Sequence, residues 1–276
     1  MPHATASDGT KLYYEVQGSG PAIVFVHELA GTCRSFDMQV AVLKATHTCI
    51  TFNARGYPTS DVPPTPDSYS QDIAGEDIGA VLDAAGVKDA HVMGVSMGSA
   101  AALQFALKHP ERVRSAILCS IGSGSDAKPD EYVANMEAMA AKVEKNGMAQ
   151  IRENFTASPA RLKLKEKNPA EFEKFVQAIS QFSVLGLTNT MRGVQKRRPP
   201  LYFYKDAIAK MAIPTLVVQG GIDQGCEKPS HFLKDTLPGA RLEVLPNTGH
   251  GVNIEEPDLV NRLVGDFVDG VEARRR

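Results

Sequence analysis

The stretch Ala90-His91-Val92-Met93-Gly94-Val95-Ser96-Met97-Gly98 decides the fold. Its first six residues form a short apolar run suited to a strand buried on both faces, and the residues from Ala100 to His109 carry a helical pattern that Pro110 stops. Between them lies Gly94-Val95-Ser96-Met97-Gly98, a G-x-S-x-G string in the strand-to-helix setting that a nucleophile elbow requires. The turn is too tight for side chains at its flanks, hence the glycines. It leaves Ser96 projecting above the sheet in a strained conformation. The following helix aims its N-terminal amides at the same spot, where negative charge develops when a hydroxyl attacks a carbonyl.

A serine hydroxyl is a poor nucleophile at neutral pH. It needs a base, and the base needs a third group to fix its tautomer. Two later strand ends supply such groups. Thr215 to Gln219 runs into Gly220-Gly221-Ile222-Asp223, and Arg241 to Leu245 runs into Asn247-Thr248-Gly249-His250-Gly251. The order Ser96, Asp223, His250 is that of elbow-type hydrolases and differs from both familiar serine-protease orders. His3, His47, His91, His109 and His231 lack a comparable setting. Asp223 could instead serve as a turn or helix-cap residue, and Asp126 is then the reserve acid.

Further strand signals are Ala22 to His27, Thr48 to Phe52 and Ser115 to Ser120. Lys11 to Val16 alternates and precedes Gly18-Ser19-Gly20-Pro21, which reads as an opening antiparallel strand and turn. Gln71 to Ala85 carries one apolar stripe, with Gly86 placed to end the helix. From about Gly122 to Lys210 the alternation breaks into amphipathic stretches. A helical cap at residues 123–210 is therefore expected, inserted in a core made of residues 1–122 and 211–276. In the cap, Met136, Met139, Met148, Phe172, Phe175 and Phe182 either pack the helices together or line an apolar pocket. The basic runs Arg161, Lys163, Lys165, Lys167 and Arg192, Lys196, Arg197, Arg198 either face solvent or favour an anionic substrate.

The whole chain has 276 residues, with 30 Lys+Arg against 32 Asp+Glu and a net charge of -2, which excludes a polybasic nucleic-acid binder as the default reading. At 43% hydrophobic and 22% charged residues, the composition is that of a folded globular protein. Cys33, Cys49, Cys119 and Cys226 are scattered, without metal-ligand or redox-dithiol spacing, and read as buried free thiols. Met1 to Tyr14 lacks an apolar core of signal-peptide length, and no stretch approaches the ~18 apolar residues of a membrane span. The expectation is a cytoplasmic protein with a small-molecule substrate, without nucleic-acid or membrane partners, acting alone or as a homodimer.

On the elbow, the aspartate loop and the histidine loop, the chain resembles the α/β-hydrolase superfamily, the serine-nucleophile, esterase-like branch with a helical cap. The resemblance covers essentially the whole chain. It implies an α/β fold with an eight-stranded, mostly parallel sheet flanked by helices. It further implies Ser96 as nucleophile, His250 as general acid and base, Asp223 as its orienter, and the backbone N–H groups of Leu29 and Met97 as the oxyanion hole. Arg55, in the loop Asn53 to Asp61, is then a loop brace. Two positions depart from the family pattern. His27-Glu28 replaces the usual His-Gly, so Glu28 either disturbs the oxyanion loop, places an acid near the site as a modulator, or points outward. Ser99 stands where a further glycine is common.

The serine excludes the aspartate-based epoxide and haloalkane chemistries of relatives. The expected reaction is hydrolysis of small to medium carboxylic esters or lactones through an acyl-enzyme, with no metal and no cofactor. Carbon–carbon bond hydrolysis of ring-cleavage products, cofactor-free perhydrolysis and ligand binding with residual hydrolysis stay open. A carboxylate-binding arginine in the pocket, for which Arg55 and Arg192 are candidates, would favour the first of these alternatives.

Overall fold

A computed structural model describes residues 2–125 and 129–275. The strands β1 (His3–Thr5), β2 (Lys11–Gln17), β3 (Ala22–Val26), β4 (Thr48–Phe52), β5 (Ala90–Val95), β6 (Val113–Cys119), β7 (Thr215–Gly220) and β8 (Arg241–Leu245) form one sheet in the order β1-β2-β4-β3-β5-β6-β7-β8. β1 and β2 run antiparallel, and all pairings from β4 through β8 are parallel. This is the expected eight-stranded α/β fold. β1, only three residues long, is the strand the sequence pattern did not announce.

The helices are α1 (Asp37–Leu43), α2 (Gln71–Ala84), α3 (Met97–Lys108), α4 (Pro129–Asn146), α5 (Met148–Ala157), α6 (Pro159–Lys167), α7 (Pro169–Ile179), α8 (Val184–Thr190), α9 (Lys205–Lys210), α10 (Gln224–Thr236), α11 (Val252–Glu255) and α12 (Pro257–Arg275). α2 matches its predicted span, capped by the Ser70 side chain on the Ile73 amide and followed by Gly86 at φ +69°. α3 starts three residues earlier than its apolar pattern, because the elbow turn is itself the first helical turn.

The strict alternation of the central strands divides the core in two. Ala22, Val24 and Val26 of β3 face α2 and α3, while Ile23 and Phe25 face α1 and α12. A third apolar cluster lies at the C-terminal ends of the strands. It joins Ala30 of the loop after β3, Met97 of α3 and Ile254 of α11 to Val143 of α4, Phe155 of α5, Phe172 and Val176 of α7, and Leu187 of α8. The helices between β6 and β7 thus sit over the edge of the sheet where Ser96 emerges, held by apolar burial that neither layer could achieve alone. Phe172 and Phe182 are packing core in this cluster, and Phe175, Met139 and Met148 are partly exposed at its border. Among the described residues, no helix is long and apolar enough to cross a membrane.

Candidate active site

Ser96 occupies φ +55°, ψ −111°, a conformation that L-residues rarely adopt. The reason is steric. A Cβ at Gly98 would stand 1.9 Å from the Val26 carbonyl oxygen, and one at Gly94 would stand 2.3 Å from the Gly98 carbonyl. The helix therefore starts directly against β3 and β5, and only glycines permit that approach. Ser99 contributes to the same joint: its hydroxyl lies 2.7 Å from the carbonyl oxygens of both Gly94 and Cys119, between which its one proton is shared. Ser96 stands at the N-cap of α3 but makes no side-chain capping bond, which leaves its hydroxyl available for other chemistry.

His250 and Asp223 are brought together: the His250 Nδ1–H donates to Asp223 Oδ2 at 2.6 Å. Burial alone would raise the Asp223 carboxyl, yet the hydrogen bond and charge of His250 bring its pKa below the ordinary value. Asp126, the reserve acid, lies outside the described residues. Ser120, at φ +49° just beyond β6, donates from its hydroxyl to the His250 carbonyl at 2.8 Å, tying the histidine loop to the strand next to the elbow.

Two further groups near His250, Glu255 and Cys226, were not marked by the sequence as parts of the site. Glu255, 4% exposed, accepts the amide N–H of Gly249 at 2.6 Å and of Gly251 at 3.0 Å, so one carboxylate grips the loop on both sides of His250. Burial raises the Glu255 pKa, opposed by those two amides. Cys226, a buried free thiol like the other three cysteines, places Sγ 3.2 Å from the Ser120 carbonyl and 4.0 Å from His250 Nδ1. Asp223, Cys226 and His250 offer ligand atoms within 4.8 Å of one another. Burial pushes the Cys226 thiol up, and the carboxylate of Asp223 pushes it further, so the neutral S–H persists and a cation-binding thiolate is disfavoured.

On the opposite side lies the loop His27-Glu28-Leu29-Ala30-Gly31. The His27 Nδ1–H donates to the Glu28 carbonyl at 2.8 Å, and its Nε2 accepts the Ala54 amide at 3.0 Å. The buried ring is thus held neutral, its pKa lowered by desolvation, and it pins this loop to the one after β4. Ala30 is at φ +60°, with its amide directed at the Tyr57 hydroxyl 3.4 Å away. Among the described residues, the Leu29 and Met97 amides donate to no protein acceptor. Glu28 does not point outward, as one sequence reading allowed. It is 3% exposed and folded into the turn, where a Cβ on Gly31 would meet its carboxylate at 2.6 Å. The Ser35 hydroxyl donates to Oε1 at 3.3 Å, and Oε2 has no partner.

The two arginines considered as carboxylate ligands are engaged elsewhere. Arg55 is bound by Asp77 at 2.7 and 2.8 Å, by Asp8 at 2.7 Å and by the Ser68 carbonyl at 2.8 Å, which makes it a loop brace. Arg192 is bound by Glu137 and Glu144 of α4.

A strained serine at a strand-to-helix elbow, a histidine gripped by a buried carboxylate, and a covering layer of helices define the class. The chain belongs to the alpha/beta hydrolase fold family, whose model matches residues 21–257, and it is a hydrolase. It is 28% identical to 3-oxoadipate enol-lactonase 1 of Acinetobacter baylyi over 97% of each chain. Among solved structures it resembles the enol-lactonase of Burkholderia xenovorans LB400, with a TM-score of 0.84, 22% identity and coverage of 97% of this chain and 100% of that one. It also resembles a thermophilic esterase of Thermogutta terrifontis, with a TM-score of 0.85, 23% identity and coverage of 98% of each chain.

Proposed function

We propose that this chain is a serine hydrolase that cleaves small to medium carboxylic esters or lactones through an acyl-enzyme intermediate. The observation that carries the reading is the 2.6 Å bond between His250 and Asp223, in a chain whose Ser96 is held in a strand-to-helix elbow and makes no side-chain capping bond. In this mechanism the Ser96 hydroxyl attacks the carbonyl carbon while His250 Nε2 takes its proton. Asp223 keeps the imidazole in the productive tautomer and stabilises the imidazolium. The amides of Leu29 and Met97 receive the oxyanion, consistent with their lack of protein acceptors. His250 returns the proton to the leaving alcohol, and water, activated by the same histidine, releases the acid. Cleavage of a lactone follows the same steps with the alcohol retained in the product. The similarity to an enol-lactonase over almost the full chain agrees with the lactone part of the proposal. Residues 123–210 act as the cap that shapes the acyl and alcohol pockets, on a core of residues 1–122 and 211–276.

The test is hydrolysis of p-nitrophenyl esters from acetate to octanoate, together with simple five- and six-membered lactones, by wild type and purified Ser96→Ala. Turnover that depends on Ser96 and peaks at one chain length supports the proposal. A folded wild-type protein inert on every ester and lactone overturns it.

A further inference from the structure

Ser96, Asp223 and His250 stand on three separate turns of the chain, and one buried residue is bonded into the frame of all three. Ser120 follows β6 directly, is fully buried and holds φ +49°, in the left-handed region that residues other than Gly, Asn and Asp rarely adopt. Such a conformation persists only where the surroundings over-determine it. Every polar group of Ser120 is engaged. Its N–H donates to the Val218 carbonyl of β7, the strand that leads to Asp223, at 2.8 Å. Its carbonyl accepts the Cys226 thiol at 3.2 Å, from the first turn of α10 just after Asp223. Its hydroxyl donates to the His250 carbonyl at 2.8 Å. The preceding carbonyl, that of Cys119, accepts the Ser96 N–H at 2.8 Å and lies 2.7 Å from the Ser99 hydroxyl.

These contacts differ in kind. The N–H and carbonyl of position 120 would be offered by almost any residue there, and only the hydroxyl depends on the side chain. The left-handed backbone alone favours glycine, so the turn does not account for a serine. The hydroxyl reaches a residue 130 positions away in the chain, the one that carries the imidazole. Asp223 holds the ring of His250, and Glu255 holds the amides of Gly249 and Gly251 on either side. The backbone carbonyl of His250 itself is held by Ser120, which ties it to the strand whose end also receives the Ser96 amide.

We propose that Ser120 is a positioning residue for the hydrolysis: its hydroxyl fixes the His250 backbone so that the imidazole keeps its alignment between Asp223 and Ser96. This rests on the hydrolase reading above and adds to it a group that touches neither substrate nor any reacting atom. Without the hydroxyl, His250 is free to drift by a fraction of an ångström, and proton transfer from Ser96 depends steeply on that geometry. Substrate binding does not pass through this contact, so the loss falls on the chemical step.

The test separates the hydroxyl from the backbone by comparing wild type, Ser120→Ala and Ser120→Gly, each first shown to be folded by circular dichroism. Both variants lack the hydroxyl, and glycine in addition relieves the left-handed φ. On the p-nitrophenyl ester that wild type turns over best, kcat is expected to fall about 10- to 100-fold in both, with KM within about twofold of wild type. The Tm of Ser120→Gly is expected to stand above that of Ser120→Ala, so that activity follows the hydroxyl while stability follows the backbone. Proton NMR reads the same contact without a substrate. The low-field resonance of the His250 Nδ1–H, assigned by its loss in His250→Ala, is expected to shift or broaden in both variants. Recovery of kcat in Ser120→Gly marks Ser120 as part of the turn alone and overturns the proposal, as does a loss confined to KM or a resonance unchanged in both variants. If wild type hydrolyses no ester or lactone, the hydrolase reading fails, while the resonance still decides whether Ser120 positions His250.

Discussion

Gly98 meets Val26 so closely that a methyl group on its Cα would stand 1.9 Å from the Val26 carbonyl oxygen. This contact fixes where α3 begins relative to β3, and with it the position of Ser96. Gly98→Ala is therefore expected to cost more than about 3 kcal/mol, since the clash is with backbone and cannot be relieved by a rotamer change. Gly265→Ala, in α12 with only the Leu43 side chain 3.8 Å away, is expected to stabilise by up to about 1 kcal/mol. Urea midpoints of the two variants check the contrast, and equal midpoints contradict it.

The proposed triad makes graded demands on its members. Ser96→Ala and His250→Ala should each reduce kcat on a p-nitrophenyl ester by at least about three orders of magnitude while leaving the circular dichroism spectrum intact. Asp223→Asn should lose about three to four orders of magnitude, because an amide can stabilise the wrong histidine tautomer. Full activity in Asp223→Asn would remove the 2.6 Å partner of His250 from the mechanism.

Glu255 holds the loop on both sides of His250, so its replacement is expected to act through that loop. Glu255→Gln replaces one of two acceptors with a donor facing the amide of Gly249 or Gly251, so the histidine loop loosens. The expected outcome is a loss of about 10- to 100-fold in kcat with little change in KM. A change confined to KM would place Glu255 in substrate binding instead.

His91 supplies a stability switch remote from the site. It lies in β5, fully buried, with Nδ1 2.7 Å from the Ser115 hydroxyl and Nε2 3.2 Å from Glu272 of α12. Desolvation lowers its pKa from 6.5 to about 4, against the pull of Glu272. The folded pKa is below the unfolded one, so its contribution is fully present above pH 6.5 and is lost as the pH falls towards 4. Denaturant midpoints should drop between pH 7 and pH 4.5, with about 3 kcal/mol as the ceiling from this one group. His91→Gln, which cannot take up a proton, should flatten the decline. An equally steep decline in that variant would assign it to other groups.

Most of the core layout was legible because its signals are local. A strand buried on both faces must be an uninterrupted apolar run, as in Ala22 to Val26, and a helix that starts against two strands must place glycine at the contacts, as in Gly94 and Gly98. β1 was not legible because three residues, exposed His3 and Thr5 on either side of buried Ala4, hold too little apolar surface to form a pattern. Ser96, Asp223 and His250 stood out because each follows a strand at a glycine-rich turn. Glu255 did not, since nothing in a buried glutamate at the end of a four-residue helix marks it as the acceptor for amides four and six residues before it.

What the sequence by itself determined, then, is the order of strands and helices, the elbow and the residue types of the proposed triad, all of which follow from backbone sterics and hydrophobic periodicity within short windows. Only the tertiary structure decided the fates of the charged groups. Arg192 and Arg161 both stand in basic runs of the same segment, yet Arg192 is enclosed by Glu137 and Glu144, while Arg161 is left with aromatic rings and an Nη1 that has no hydrogen-bond partner. Glu28 likewise turned inward because Gly31, three residues on, leaves the space its carboxylate fills. A charge is completed by whatever the fold brings within a few ångströms of it, and that neighbour is set by long-range packing, which no local pattern encodes.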